Sequence, residues 1–109
     1  MQPQEVRIMQ GSDTRVVIPI DPGGASVDFW TAHAQIRPTV DSGTVLADFS
    51  TGDSTIEITA TQVAVLIPAA VSAAWAWSEG VWDVELTIPS QGTQRIAQGR
   101  FILDREVTR

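Results

Sequence analysis

His33 is the only histidine in the 109-residue chain, and that count removes most of the catalytic repertoire. A Ser–His–Asp triad needs an imidazole beside an activated hydroxyl, and a two-histidine zinc centre needs a second ring. His33 falls on the polar side of an alternating stretch and reads as a surface residue. Ser42, Ser54, Ser72 and Ser90 occupy turns or an alanine-rich run, without the strand–turn–helix setting of a nucleophile elbow. The absence of cysteine excludes thiolate nucleophiles, thiolate metal sites and disulfide staples. Asp41, Asp48 and Asp53 lie near turns but lack the alternating spacing of a calcium loop, so they read as solvated carboxylates. Among 13 acids no pair stands out as a glycosidase acid and nucleophile. Gly23-Gly24 is no phosphate cradle, since the chain has no GxxxxGK(S/T) run and no lysine. The expectation is a non-enzymatic protein with no catalytic residues, cofactor or metal.

The four tryptophans, Trp30, Trp75, Trp77 and Trp82, are the residues that most invite a binding role. An exposed indole stacks on a sugar ring or anchors a protein interface. Core packing of at least two is the competing use, because the only other aromatics are three phenylalanines. If Trp75 and Trp77 share a short helix, they point roughly 200° apart. One is then buried and the other is available to a partner.

Composition sets the frame that must hold these groups. A chain of this length with 43% hydrophobic and 18% charged residues is expected to form one core, with a single domain over 1–104 and a polar arm over 105–109. The net charge of −6 is spread without a basic cluster, which argues against nucleic acid. The uncharged run Ala60–Trp77 approaches a membrane-spanning length. Pro68 interrupts it, Thr61, Gln62 and Ser72 dilute it, and no basic residue flanks it. A buried strand leading into an alanine-rich helix is the better reading, with no membrane partner. The segment Met1–Gln10 lacks a secretory signal's pattern, so the chain is expected to remain in the cytoplasm or to leave by another route.

The elements follow from periodicity. Glu5–Met9 and Thr14–Ile20 read as strands, and Pro19 places the second at an edge or end of a sheet. Asp21-Pro22-Gly23-Gly24 is a turn that reverses the chain. In Ala32–Arg37 the residues Ala32, Ala34 and Ile36 share one face. Val45–Phe49 and Thr55–Thr59 are further strands between turns at Asp41-Ser42-Gly43 and Thr51-Gly52-Asp53-Ser54. Val63–Ile67 leads to Pro68, which suits a helix start, and one short helical insertion is expected near 69–77. Val81–Ile88 and Arg95–Leu103 form a hairpin about Pro89-Ser90-Gln91-Gly92, with a bulge predicted around Gly99, where the apolar parity changes. Turns spaced in this way are the mark of an antiparallel β-sandwich of about seven or eight strands.

Read in order, several of these signals resemble small β-sandwich proteins of tailed bacteriophages. They are Gln10-Gly11-Ser12-Asp13, Gln35-Ile36-Arg37, Asp48-Phe49, the strand Gly80-Val81-Trp82-Asp83-Val84-Glu85-Leu86, the Gly99-containing last strand and Val107-Thr108-Arg109. The similarity is to the N-terminal domain family of the upper baseplate protein and related short virion proteins, with Trp82 standing where a tyrosine is commoner. It implies an Ig-like sandwich acting as a tail or baseplate adaptor, assembled in the host cytoplasm and carried in the virion. Its partners would be other virion proteins and copies of itself in a symmetric assembly. Capsid decoration and carbohydrate or receptor binding are the alternatives. The expected contact residues are Trp75, Trp77, Asp21, Gly23, Gly24, Arg105 and Arg109.

Overall fold

Alternation of β-branched and polar residues, broken by glycine- and proline-bearing turns, yields eight strands and one helical turn in the computed structural model, which describes residues 4–105. The strands are β1 (Val6–Met9), β2 (Thr14–Pro19), β3 (Thr31–Arg37), β4 (Ala47–Ser50), β5 (Ile56–Ile58) and β6 (Gln62–Ile67). The helix α1 (Ala69–Ala73) follows, then β7 (Glu79–Ile88) and β8 (Gly92–Asp104). One sheet has the order β1-β8-β7-β3-β4 and the other β2-β6-β5. All pairs are antiparallel except β1 with β8, which is parallel. In immunoglobulin lettering the second sheet is B-E-D, and β8-β7-β3-β4 is G-F-C-C′. The fold is therefore an all-β, Ig-like sandwich.

The inward residues of both sheets form the core. Ala32, Ala34 and Ile36 of β3 face Ile18, Val63, Val65 and Ile67 of the opposing sheet within one buried cluster that includes Trp82, Val84, Leu86, Phe101 and Leu103. Pro19, which has no amide hydrogen, ends β2 at the edge of its sheet. The uncharged run Ala60–Trp77 becomes β6 and α1, and no helix among the described residues is long and apolar enough to cross a membrane.

Three expectations need correction. The helix does not extend to Trp77: it ends at Ala73, and Ala74 is its C-cap. Beyond it Trp75 and Trp77 are both half-buried and stacked, with ring centroids 4.9 Å apart and planes 29° apart. A continued helix would have turned one indole away, whereas this arrangement packs both against Phe101 and gains more buried aromatic area. The bulge lies at Ile96 rather than Gly99: Val84 pairs with Ala97 and Glu85 with Arg95, leaving Ile96 as the extra residue. The strand over Val45–Phe49 starts later, at Ala47, and Val45 is exposed.

Gly99 has a different task. The backbone of Gln4 crosses directly over it, so that any Cβ at position 99 would collide with Gln4 backbone atoms. The Gln4 amide donates to the Gln98 carbonyl at 2.6 Å, and the Trp82 indole Nε1 donates to the Gln4 carbonyl at 3.0 Å. Gly99→Ala must therefore displace this segment, and the expected loss is about 2–3 kcal/mol. Gly23, at φ 64 with nothing within 4 Å of a built Cβ, should lose only about 1 kcal/mol as alanine through backbone strain. Urea unfolding of both variants checks this; equal losses would show that Gln4 does not lie against Gly99.

Candidate functional site

Sequence reasoning placed all seven contact residues on one footing, but the fold separates them. Thr14 at the start of β2 pairs with Ile67, just before α1, and Pro19 at its end pairs with Gln62. The Asp21–Gly24 turn therefore lies at the opposite end of the sandwich from Trp75, Trp77 and Arg105. There the Asp21 carboxylate accepts from the Gly23 amide at 3.0 Å, and the Ala25 amide donates to the Pro22 carbonyl at 3.1 Å. The turn leads across to the other sheet rather than into a neighbouring strand. Arg109 lies outside the described residues.

At the helix end, Arg105 donates to the Ala76 carbonyl at 3.2 Å, so this arginine and the two indoles share one surface. The helix is held from the β1–β2 turn. The Gln10 side-chain amide donates to the carbonyls of Ser72, Ala73 and Trp75 at 3.3, 3.4 and 2.9 Å. The Gly11 amide donates to Ser72 Oγ at 2.9 Å, and the Asp13 carboxylate accepts from the Ala69 amide at 2.7 Å. Residues distant in sequence thus supply both caps that a five-residue helix cannot make for itself. Trp77 Nε1 is buried without a hydrogen-bond partner among the described residues.

Two exposed apolar residues went unnoticed in the sequence. Phe29, in the β2–β3 loop, is 89% exposed and held at φ 69. The Asp28 amide donates to Ser26 Oγ at 3.1 Å and the Trp30 amide to the Val27 carbonyl at 3.1 Å, which fixes the turn that presents it. Val40, in the β3–β4 loop, is 81% exposed and borders a groove of about 540 Å³ on the outer face of the five-stranded sheet. A valine-bearing loop between turn residues gave no periodic signal that could have separated it from a core position.

That outer face is a polar ladder laid out by strand register. His33, Gln35 and Arg37 project from β3, Asp83 and Glu85 from β7, and Asp48 from β4. His33 Nε2 lies 2.9 and 3.0 Å from the two Asp48 carboxylate oxygens, and Gln35 Nε2 donates to Asp48 at 2.8 Å. Arg95 approaches Asp83 at 3.5 Å, and Arg100 bridges Glu79 at 2.8 Å and Glu5 at 3.3 Å. Among the described residues no three histidine or acid side chains gather as metal ligands: Asp48 is engaged by His33 and Gln35, and Asp53 accepts from Thr55 Oγ1 at 2.6 Å.

Partial burial pushes the Asp48 carboxyl up, but the hydrogen bonds from Gln35 and His33 together with the His33 charge outweigh it and hold it below the usual value. A depressed carboxyl contributes stability that is present above its unfolded pKa and is lost as pH falls through the folded one. Gln35→Ala should raise the Asp48 pKa and destabilise the fold at neutral pH, and the gap between parent and variant should narrow in acid, where Asp48 is protonated in both, leaving only the loss of the Arg37 hydrogen bonds to Gln35 Oε1. Carboxyl NMR titration and unfolding at the two pH values check it; a destabilisation that persists undiminished in acid would assign Gln35 a purely packing role.

No known family model matches the chain, and no curated protein sequence does. Among solved structures the chain is similar to the extracellular domain of the voltage-gated sodium channel beta4 subunit, described as a parallel homodimer with a role in cell–cell adhesion. The identity is 11% and the TM-score 0.47, over 96% of this chain and 93% of that one. A likeness at that level carries nothing about function or partners.

Proposed function

We propose that the chain is a non-enzymatic structural protein of a tailed-bacteriophage virion, a tail or baseplate adaptor that works through protein–protein contacts with other virion proteins and with copies of itself. The observation that carries the contact role is Phe29. A non-glycine residue at positive φ costs about 1–2 kcal/mol, and a fully exposed phenylalanine forgoes the roughly 1.5–3 kcal/mol of its burial. A neighbouring protein that covers the ring recovers the second cost and makes use of the first, since the strained turn presents the ring rigidly.

The virion setting is supported by the likeness of the sequence to phage sandwich proteins. One shared signal, Gln10-Gly11-Ser12-Asp13, has a defined task here, the clamping of α1. The glycan-binding alternative is not favoured by the indoles, because Trp82 is buried, Trp30 is half-buried against the core, and Trp75 and Trp77 stack on one another.

Quantitative mass spectrometry of purified particles should find this chain in a fixed ratio to the major tail protein. Its absence, or trace amounts only, would end the virion reading; a ratio tied to the major capsid protein instead would make it a decoration protein. Phe29→Asn, which tolerates the same backbone, should leave the isolated domain as stable as the parent yet cut incorporation at least about tenfold. Undiminished incorporation would remove Phe29 from the contact.

A further inference from the structure

The groove on the outer face of the five-stranded sheet offers one cation that no acid among the described residues neutralises. Arg95 is matched by Asp83 and Arg100 by Glu79 and Glu5, but Arg37 forms no ion pair among the described residues. The residue is half-buried and its guanidinium already oriented: Nε and Nη2 donate to Gln35 Oε1 at 3.2 and 2.8 Å, and Nη1 donates to the Ser42 carbonyl at 2.6 Å. Three of the five donor hydrogens of an arginine are thus committed to neutral acceptors that position it. The remaining two lie one on each Nη atom and are left to donate to an anion.

The surroundings specify more than an anion. Val81 lies beside Arg37 in the β3–β7 register, and the exposed Val40 overhangs the same groove. Gln35 and Gln98 add neutral hydrogen-bonding groups along the floor. Of the three arginines that line the groove, Arg95 is matched by Asp83 and Arg100 by Glu79 and Glu5, so that Arg37 alone among them lacks an acid partner within the described residues. Charge complementarity therefore favours a carboxylate, and the apolar rim favours one attached to a chain with aliphatic neighbours.

We propose that this groove binds an extended peptide segment of a partner protein, seating a glutamate or aspartate carboxylate on Arg37 and an adjacent aliphatic side chain against Val40 and Val81. This deepens the contact role proposed above by naming the chemistry of one partner. It does not involve Phe29, which lies in the β2–β3 loop.

The test titrates the domain with the capped peptide Ac-(Glu-Val)3-NH2, its Gln-Val counterpart and inorganic phosphate, read by ¹H–¹⁵N resonances of the Arg37 Nε–H and the Val81 and Gly99 amides. Saturable shifts with the acidic peptide, at least about tenfold tighter than with the neutral one, are expected. Val40→Asp places a repelling charge on an exposed loop without disturbing the core and should weaken binding about tenfold; Arg37→Met should abolish it, with the β-sheet resonances retained. Equal affinity for both peptides, equal response to phosphate, binding unaffected by Val40→Asp, or no shift would each overturn the assignment. None of these outcomes bears on the presence of the chain in particles, which is decided by mass spectrometry alone.

Discussion

Phe101 is the ring on which the arrangement of this sandwich depends. It lies on β8 between β1 and the start of β7, and three indoles meet it at steep angles, Trp75 at 6.5 Å, Trp77 at 5.9 Å and Trp82 at 6.3 Å between centroids. In a chain without cysteine no disulfide joins the two sheets, so apolar area in the core, aliphatic and aromatic, must hold them. One consequence is conformational. To bring Trp75 and Trp77 onto the same ring the chain must leave the helix before residue 75, so that the Ser72 carbonyl accepts from the Trp75 amide and the carbonyls of Ala73 and Trp75 lie beyond the helical ladder. The Gln10 amide accounts for those carbonyls, so the position of the β1–β2 turn follows from the position of two indoles.

The bulge at Ile96 has a similar reach. An extra residue on one strand of a pair shifts the side-chain alternation by one beyond it. With the shift, Ala97, Phe101 and Leu103 turn inward while Gln98 and Arg100 remain on the outer face. Without it, the aromatic ring that organises the core would face solvent. Gly99 stands three residues past this point, and its missing side chain lets Gln4 lie close enough to accept from the Trp82 indole. The edge strand β1, the bulge and the central tryptophan are thus parts of one packing solution.

Much of the sheet was legible because it depends on local rules. Alternation in Ala32–Arg37 and in Val81–Ile88 set which residues face the core, and Pro19 marked an edge because proline has no amide to donate. What could not be read were features decided by distant groups. The end of α1 depends on Phe101, about thirty residues away, and helix propensity carries no such information. The parity change in the last strand was visible, but Gly99 drew the bulge toward itself when its glycine answers to Gln4 instead. The site was the least legible part. Tryptophan attracts attention as a binding residue, yet here Trp82 is buried and the other three are half-buried against the core. Phe29 and Val40 lie in loops, where no periodicity separates exposed apolar residues from buried ones.

The distribution of charge on the outer face sets how anything could be recognised there. Exposed ion pairs such as Arg100 with Glu79 add little stability, but they cancel the far field of the arginines they engage. The chain as a whole is negative, so an acidic partner is repelled at distances up to about a Debye length, ~8–10 Å. Recognition at Arg37 therefore gains nothing from long-range steering and must come from contact: the orientation imposed by Gln35 and Ser42, and the apolar rim of Val40 and Val81. Such a site discriminates by fit and by the direction of its hydrogen bonds, and its association rate should be ordinary rather than accelerated. That suits a contact formed among components held close together in an assembly, where local concentration replaces steering.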